Sequence, residues 1–146
     1  MRRLAVLTAL LAALAVAAPA GATPNPDDTR TCDGCEEPVL SGFSVSPRAV
    51  TPGAADAAEV RFSVSEAASV RIYFERRTRV SGRFRYRRVP GHLVARAAAG
   101  EFRAPWDGTL AGRALKPGVY RVLAVAFDAD DGLRSNRESL RIRVVS

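Results

Sequence analysis

Apolar residues recur at every second position through much of this chain, and after the N-terminal segment no stretch carries a 3.6-residue stripe. That alternation is the signature of strands with one face buried and one wet. Glu59 to Ser65 places Val60, Phe62 and Val64 on one side with Arg61 and Ser63 on the other. Ser69 to Arg76 repeats it, with Val70, Ile72 and Phe74 inward and Arg71, Tyr73 and Glu75 outward. Arg83 to Val89 sets Phe84 and Tyr86 against Arg83, Arg85 and Arg87, after a turn holding Ser81-Gly82. Ser139 to Val145 turns Leu140, Ile142 and Val144 inward and Arg141 and Arg143 outward. Val39 to Ser46 reads as a strand ending at Pro47; His92 to Ala97 and Gly100 to Ala104 read as weaker ones. Tyr120 to Asp128 is apolar on both faces apart from Arg121, the mark of a central strand. Asp128-Ala129-Asp130-Asp131-Gly132 after it fits a hairpin turn better than a calcium loop, whose glycine would stand sixth rather than fifth.

About seven short strands in about a hundred residues predict an all-β domain, an immunoglobulin-like antiparallel β-sandwich over 39–146. Ahead of it, Arg2 and Arg3 precede an uncharged run from Leu4 to Ala18 and two small-residue cleavage patterns, Ala18-Pro19-Ala20 and Ala20-Gly21-Ala22. Residues 1–22 therefore read as a secretory signal peptide. The run is too short for a spanning helix, so no membrane span is expected after cleavage, and the chain is expected to be secreted. Thr23 to Pro38 is polar, acidic and Pro-containing and reads as a disordered leader.

Of 22 basic residues only Lys116 is Lys, and the net charge of +7 falls to +5 once Arg2 and Arg3 are removed. Such a bias follows from Arg-rich codon usage and speaks to solubility more than to fold. Cys32 and Cys35 flank Asp33-Gly34 in a coil, where nothing lowers a thiol pKa for redox work; His92 is the only histidine and the metal reading lacks ligands. In an exported chain a local disulfide is the first reading and pairing between chains the second. No Ser-His-Asp or Cys-His arrangement is present, so the chain is expected to be non-catalytic, with no cofactor and no metal.

Trp106-Asp107-Gly108, then Gly112, Leu115, Pro117-Gly118, Tyr120, Ala126, Asp128, Gly132 and Ser135 form a pattern that resembles the Ig-like domain of flagellar hook-capping proteins, as found in secreted bacterial proteins. The resemblance covers about Val39 to Ser146 and implies fold and export, with these residues structural. The residues fit such roles on their own chemistry. Asp107-Gly108 suits a tight turn, Leu115 anchors a loop, and Pro117-Gly118 suits the centre of a type II turn. Tyr120 is placed to act as a tyrosine corner.

Arg71 to Arg88 is the densest charge run, with eight arginines interleaved with Tyr73, Phe74, Phe84 and Tyr86. In an Ig-like order the strands bearing Arg83, Arg71, Arg121 and Arg141 are neighbours in one sheet. The expected outer surface then carries Arg71, Tyr73, Arg83, Arg85, Arg87, Arg141 and Arg143 beside an exposed apolar strip of Leu123, Val125 and Phe127. Such a face fits contact with an anionic envelope polymer or another surface protein; an exported chain is not expected to meet nucleic acid. The function expected is a non-catalytic binding or adhesion module at the cell envelope, the alternative being a structural or accessory domain without a ligand. Protein recovered from culture fluid should begin at Thr23 or Gly21 and run two protons lighter than the dithiol mass. Intact Met1 in the membrane fraction would overturn the export reading.

Overall fold

The computed structural model describes residues 36–128, 130 and 132–146. The signal peptide, the Cys32–Cys35 pair and all but the last residues of the leader lie outside them. Among the described residues eleven strands run in chain order: β1 Leu40–Ser46, β2 Ala49–Val50, β3 Ala58–Val64, β4 Ala68–Val80, β5 Arg83–Arg88, β6 Leu93–Ala97, β7 Gly100–Trp106, β8 Thr109–Leu110, β9 Arg113–Ala114, β10 Gly118–Asp128 and β11 Arg134–Val144. Three sheets result. One is three-stranded in the order β1-β3-β7, one is six-stranded in the order β2-β11-β10-β4-β5 with β6 also on β4, and β8 and β9 form a two-stranded ribbon. All pairings are antiparallel except β2 with β11. This all-β arrangement is compatible with a β-sandwich. Among the described residues no helix is long and apolar enough to cross a membrane.

The alternating residues of both larger sheets meet in one core. Leu40, Phe43, Val45, Val60, Phe62, Val64 and Trp106 come from the three-stranded sheet; Val70, Ile72, Phe74, Tyr120, Val122, Ala124, Ile142 and Val144 come from the six-stranded one. Asn136 of β11 ties the sheets together: its side-chain carbonyl accepts from the Leu40 N–H at 2.9 Å and its amide donates to the Leu40 carbonyl at 2.8 Å. Next to it, the Ser135 hydroxyl accepts from the Ala126 N–H at 2.8 Å, where the β10–β11 register slips past a bulge. Pro38, just ahead of β1, is fully buried.

The segment from Trp106 to Tyr120 is held by its own side chains. Trp106 packs on Phe74 with ring centroids 5.0 Å apart and donates its indole N–H to the Thr109 carbonyl at 2.8 Å. The Asp107 carboxylate accepts from the Thr109 hydroxyl and N–H at 2.8 and 2.9 Å. Those bonds hold its pKa below the ordinary value. Gly108 turns at φ +77°, and a Cβ there would stand 2.9 Å from the Pro52 backbone, so no other residue fits. The Tyr120 hydroxyl donates to the Lys116 carbonyl at 2.6 Å; burial pushes its pKa up, with the Arg76 guanidinium working against that.

Pro117-Gly118 departs from the expected type II turn. Gly118 has φ +153°, far from the roughly +80° of that turn, and it already pairs with Val144 as the first residue of β10. Its lack of a side chain serves a close approach instead, since a Cβ would lie 3.1 Å from Arg76 Nε.

Trp106→Ala should cost about 3–5 kcal/mol by large-to-small truncation. Tyr120→Phe, which leaves the Lys116 carbonyl short of its partner, should cost about 1 kcal/mol. Urea denaturation with an unchanged m-value checks both. A cost below about 1 kcal/mol for Trp106→Ala, within the range of surface substitutions, would remove the indole from the core.

Candidate functional site: an arginine-covered sheet face

The strands bearing Arg83, Arg71, Arg121 and Arg141 are adjacent, in the order β5-β4-β10-β11. The register decides which of their side chains share the outer face. From β4 come Arg71, Tyr73, Glu75, Arg77 and Arg79; from β10 come Arg121, Leu123, Val125 and Phe127; from β11 come Arg134, Arg137, Arg141 and Arg143. On the other flank of β4, β6 adds Val94 and Arg96, and β5 adds Phe84, Tyr86 and Arg88.

The placement of β5 corrects the sequence expectation. Arg83, Arg85 and Arg87 stand opposite Val80, Thr78 and Arg76, on the side continuous with Phe74 and Ile72, and not on the outer face. The two-residue turn at Ser81-Gly82, with φ of 48° and 78°, causes this. It pairs Val80 with Arg83, so Phe84 must follow Arg79, and Tyr86 must follow Arg77, to the outer side. Phe84 is 60% exposed there.

The apolar strip is also corrected. Leu123 and Val125 do point to the outer side but are only 5% and 9% exposed, and Phe127 is half-buried. Long side chains flank the strip in the register, Tyr73 beside Leu123 and Arg71 and Arg137 beside Val125, and stems of this kind shield apolar surface. The guanidinium of Arg71 lies 4.4 Å from the Phe127 ring centre, Arg88 lies 4.2 Å from Tyr73, Arg121 lies 4.7 Å from Tyr86 and Arg77 lies 3.7 Å from Phe84. Each is within cation–π range. His92 packs against Tyr73 from the β6 side, the ring centroids 5.3 Å apart and the planes tilted.

The face thus holds ten arginines: 71, 77, 79, 88, 96, 121, 134, 137, 141 and 143, all exposed except the half-buried Arg121. Its strands offer one outward carboxylate, Glu75, which accepts from Arg121 Nε at 2.8 Å and also from its Nη2. The outer face of the three-stranded sheet is different. Its two arginines, Arg61 and Arg103, each pair with a glutamate two residues away, Glu59 and Glu101.

Two depressions mark the arginine face. One, of about 250 Å³, is lined by Tyr73, Arg88, Val125, Phe127, Arg134, Ser135 and Arg137. The other, of about 360 Å³, is lined by Arg48, Ala49, Val119, Arg141, Ile142 and Arg143. They sit toward opposite ends of β10, their lining residues on that strand being about 20–26 Å apart at the usual rise per residue. Among the described residues no group of three His, Cys, Asp or Glu side chains is placed to hold a metal ion.

Sequence reasoning marked the Arg71–Arg88 run but did not place Arg77, Arg79, Phe84, Tyr86 and Arg88 on this face, and it did not pick out Arg96, Arg134 and Arg137. The signal for the β5 residues was the turn length, which carries more register information than the hydrophobicity of Phe84 and Tyr86. The remaining Trp106, Asp107, Gly108, Leu115 and Tyr120 belong to the core and the loop described above.

Solved structures similar to this chain include the alkylpurine DNA glycosylase AlkC of Pseudomonas fluorescens bound to DNA containing an abasic site analog, at 15% identity and a TM-score of 0.38, covering 75% of this chain and 31% of that one. Another is Spo0M, a sporulation control protein of Bacillus subtilis, at 11% identity and a TM-score of 0.39, covering 77% of this chain and 51% of that one. This chain therefore spans about half the length of the second and less of the first. No protein-family model and no curated protein matches the sequence.

Leu123→Ala should destabilise the domain by about 2 kcal/mol or more, as a buried residue would. Urea denaturation checks this; a change within about 0.5 kcal/mol, typical of surface substitutions, would mean that the arginines do not seal the strip.

Proposed function

We propose that this chain is an exported, non-catalytic binding module of immunoglobulin-like sandwich form, and that it holds an anionic envelope polymer on the outer face of the six-stranded sheet. One observation carries the reading: the outer faces of the two larger sheets differ sharply in charge balance. Arg-rich codon usage would load both sheets alike, yet one outer face balances two arginines with two glutamates while the other sets ten against one.

The chemistry suits a chain of carboxylated, sulfated or phosphorylated units. Guanidinium forks bind such groups bidentately, and four of those on this face lie against aromatic rings. The half-open Tyr73 and Phe127 offer apolar surface to the body of a unit whose charge meets Arg134 or Arg137. The spacing of the two depressions favours a polymer over a single small anion. Export is supported by residues 1–22, and the sandwich form by the resemblance to the Ig-like domain of flagellar hook-capping proteins. The Tyr120 hydroxyl on the Lys116 carbonyl is the bond a tyrosine corner makes.

The test measures binding to immobilised polygalacturonate and dextran sulfate, with uncharged dextran as control. The parent should bind both anionic polymers, weaken as NaCl rises, and ignore dextran. The triple variant Arg71→Ser, Arg137→Ser, Arg141→Ser should lose at least about tenfold in affinity. Arg83→Ser with Arg85→Ser, on the opposite side of β5, should bind as the parent does. A parent that ignores both anionic polymers at low salt would instead be a structural or accessory domain.

A further inference from the structure

A separate cavity of about 370 Å³ opens on the side of β5 away from the arginine face, between β4, β5 and the loop that carries the β8–β9 ribbon. Its lining divides by chemistry. Leu110, Leu115 and Tyr120 are buried and, with Val89 and Pro90, form an apolar floor. Arg87, Arg88, Arg113 and Lys116 are exposed around it, Arg76 is half-buried, and no carboxylate lines the space.

The fold accounts for two of these five cations. Arg76 donates from Nη2 to the Pro117 carbonyl at 2.9 Å and packs against Gly118. Arg88 stacks on Tyr73 across the sheet. Arg87, Arg113 and Lys116 have no ion-pair partner among the described residues. Cations gathered in a cleft with apolar walls focus a positive potential and repel one another. A bound anion relieves that repulsion, and the floor rewards an anion that carries an apolar body. The volume lies near the lower end of the roughly 300–1,000 Å³ of small-molecule sites. It is too small for a folded partner.

We propose that this cleft is a binding site for a small amphiphilic anion, with an oxyanion head held by Arg87, Arg113 and Lys116 and a short apolar tail or ring seated on Leu110, Leu115 and Tyr120. The site is distinct from the polymer face and does not depend on it. Only Arg88 borders both.

The probe is octyl phosphate, kept below its micelle concentration and titrated into ¹⁵N-labelled protein. Inorganic phosphate and octanol serve as the two half-ligands. Octyl phosphate should bind at least about tenfold more tightly than either half-ligand and shift the backbone amides of Leu110, Arg113, Leu115 and Tyr120. The variant Arg87→Ser, Arg113→Ser, Lys116→Gln should weaken it at least about tenfold. The polymer-face variant Arg71→Ser, Arg137→Ser, Arg141→Ser should bind it as the parent does. Octyl phosphate no tighter than inorganic phosphate would overturn the proposal, and that comparison needs only the parent protein. So would shifts mapping to β11, or unchanged binding by a folded cleft variant. None of these results bears on polygalacturonate binding, so failure here and failure of the polymer reading are read separately.

Discussion

Strand β10 is buried on both faces, and the rest of the domain follows from that constraint. Its inner residues Tyr120, Val122, Ala124 and Ala126 meet the core shared with the three-stranded sheet. Its outer residues Leu123 and Val125 are just as dry, although no second layer of described strands covers them. The register sets long side chains of β4 and β11 beside them, Tyr73 next to Leu123 and Arg71 and Arg137 next to Val125, and such side chains can cover a strand. An arginine can do this because its three methylenes lie on apolar surface while the guanidinium reaches water or a ring face. Arg71 and Arg137 thus flank the central strand and help make the face cationic. The basic surface cannot be removed wholesale without wetting β10, which is why stability and binding must be measured together in any variant of this face.

Placement, more than composition, distinguishes the two sides of the molecule. The chain is rich in arginine throughout. On the three-stranded sheet arginines sit two residues from glutamates on the same strand, and alternation turns both to the same side. On the six-stranded sheet the single outward glutamate is already committed to Arg121, beside Tyr86. A guanidinium over an aromatic ring keeps its charge and most of its donors available, unlike one closed onto a carboxylate. That is the physical difference between a neutral surface and one poised for an anion.

The loop from Asp107 to Pro117 links core and cleft. Trp106 fixes its start by packing on Phe74 and bonding the Thr109 carbonyl, and the Leu115 N–H closes back on the Gly108 carbonyl at 3.1 Å. Tyr120 fixes its end through Lys116. Held at both ends, the loop presents Leu110 and Leu115 on one wall of the cavity and Arg113 and Lys116 at its mouth. Trp106, Gly108, Leu115 and Tyr120 are therefore the frame of this cleft.

Much of the fold was legible in the alternation itself. Strands β1, β3, β4, β5, β6, β7, β10 and β11 all overlap the segments the sequence marks as strands, since a half-buried strand must alternate, although β4 runs four residues further and β11 starts five residues earlier than expected. The adjacency of the four arginine-bearing strands was also anticipated. Two-residue strands such as β2, β8 and β9 left no trace, being too short for a period to show. What the alternation by itself did not decide was which face of β5 turns outward, although the length of the Ser81-Gly82 turn carried that information. Hydrophobicity argued for burying Phe84 and Tyr86, but the strand pairs only at the sheet edge, and the hairpin register overrode that preference. Nor could it decide that Leu123 and Val125 are dry, since their cover comes from strands distant in sequence. Local pattern determines where strands form because burial on one side acts residue by residue. Only the tertiary structure determines what lies over each face, because that depends on register and on neighbours brought from elsewhere in the chain.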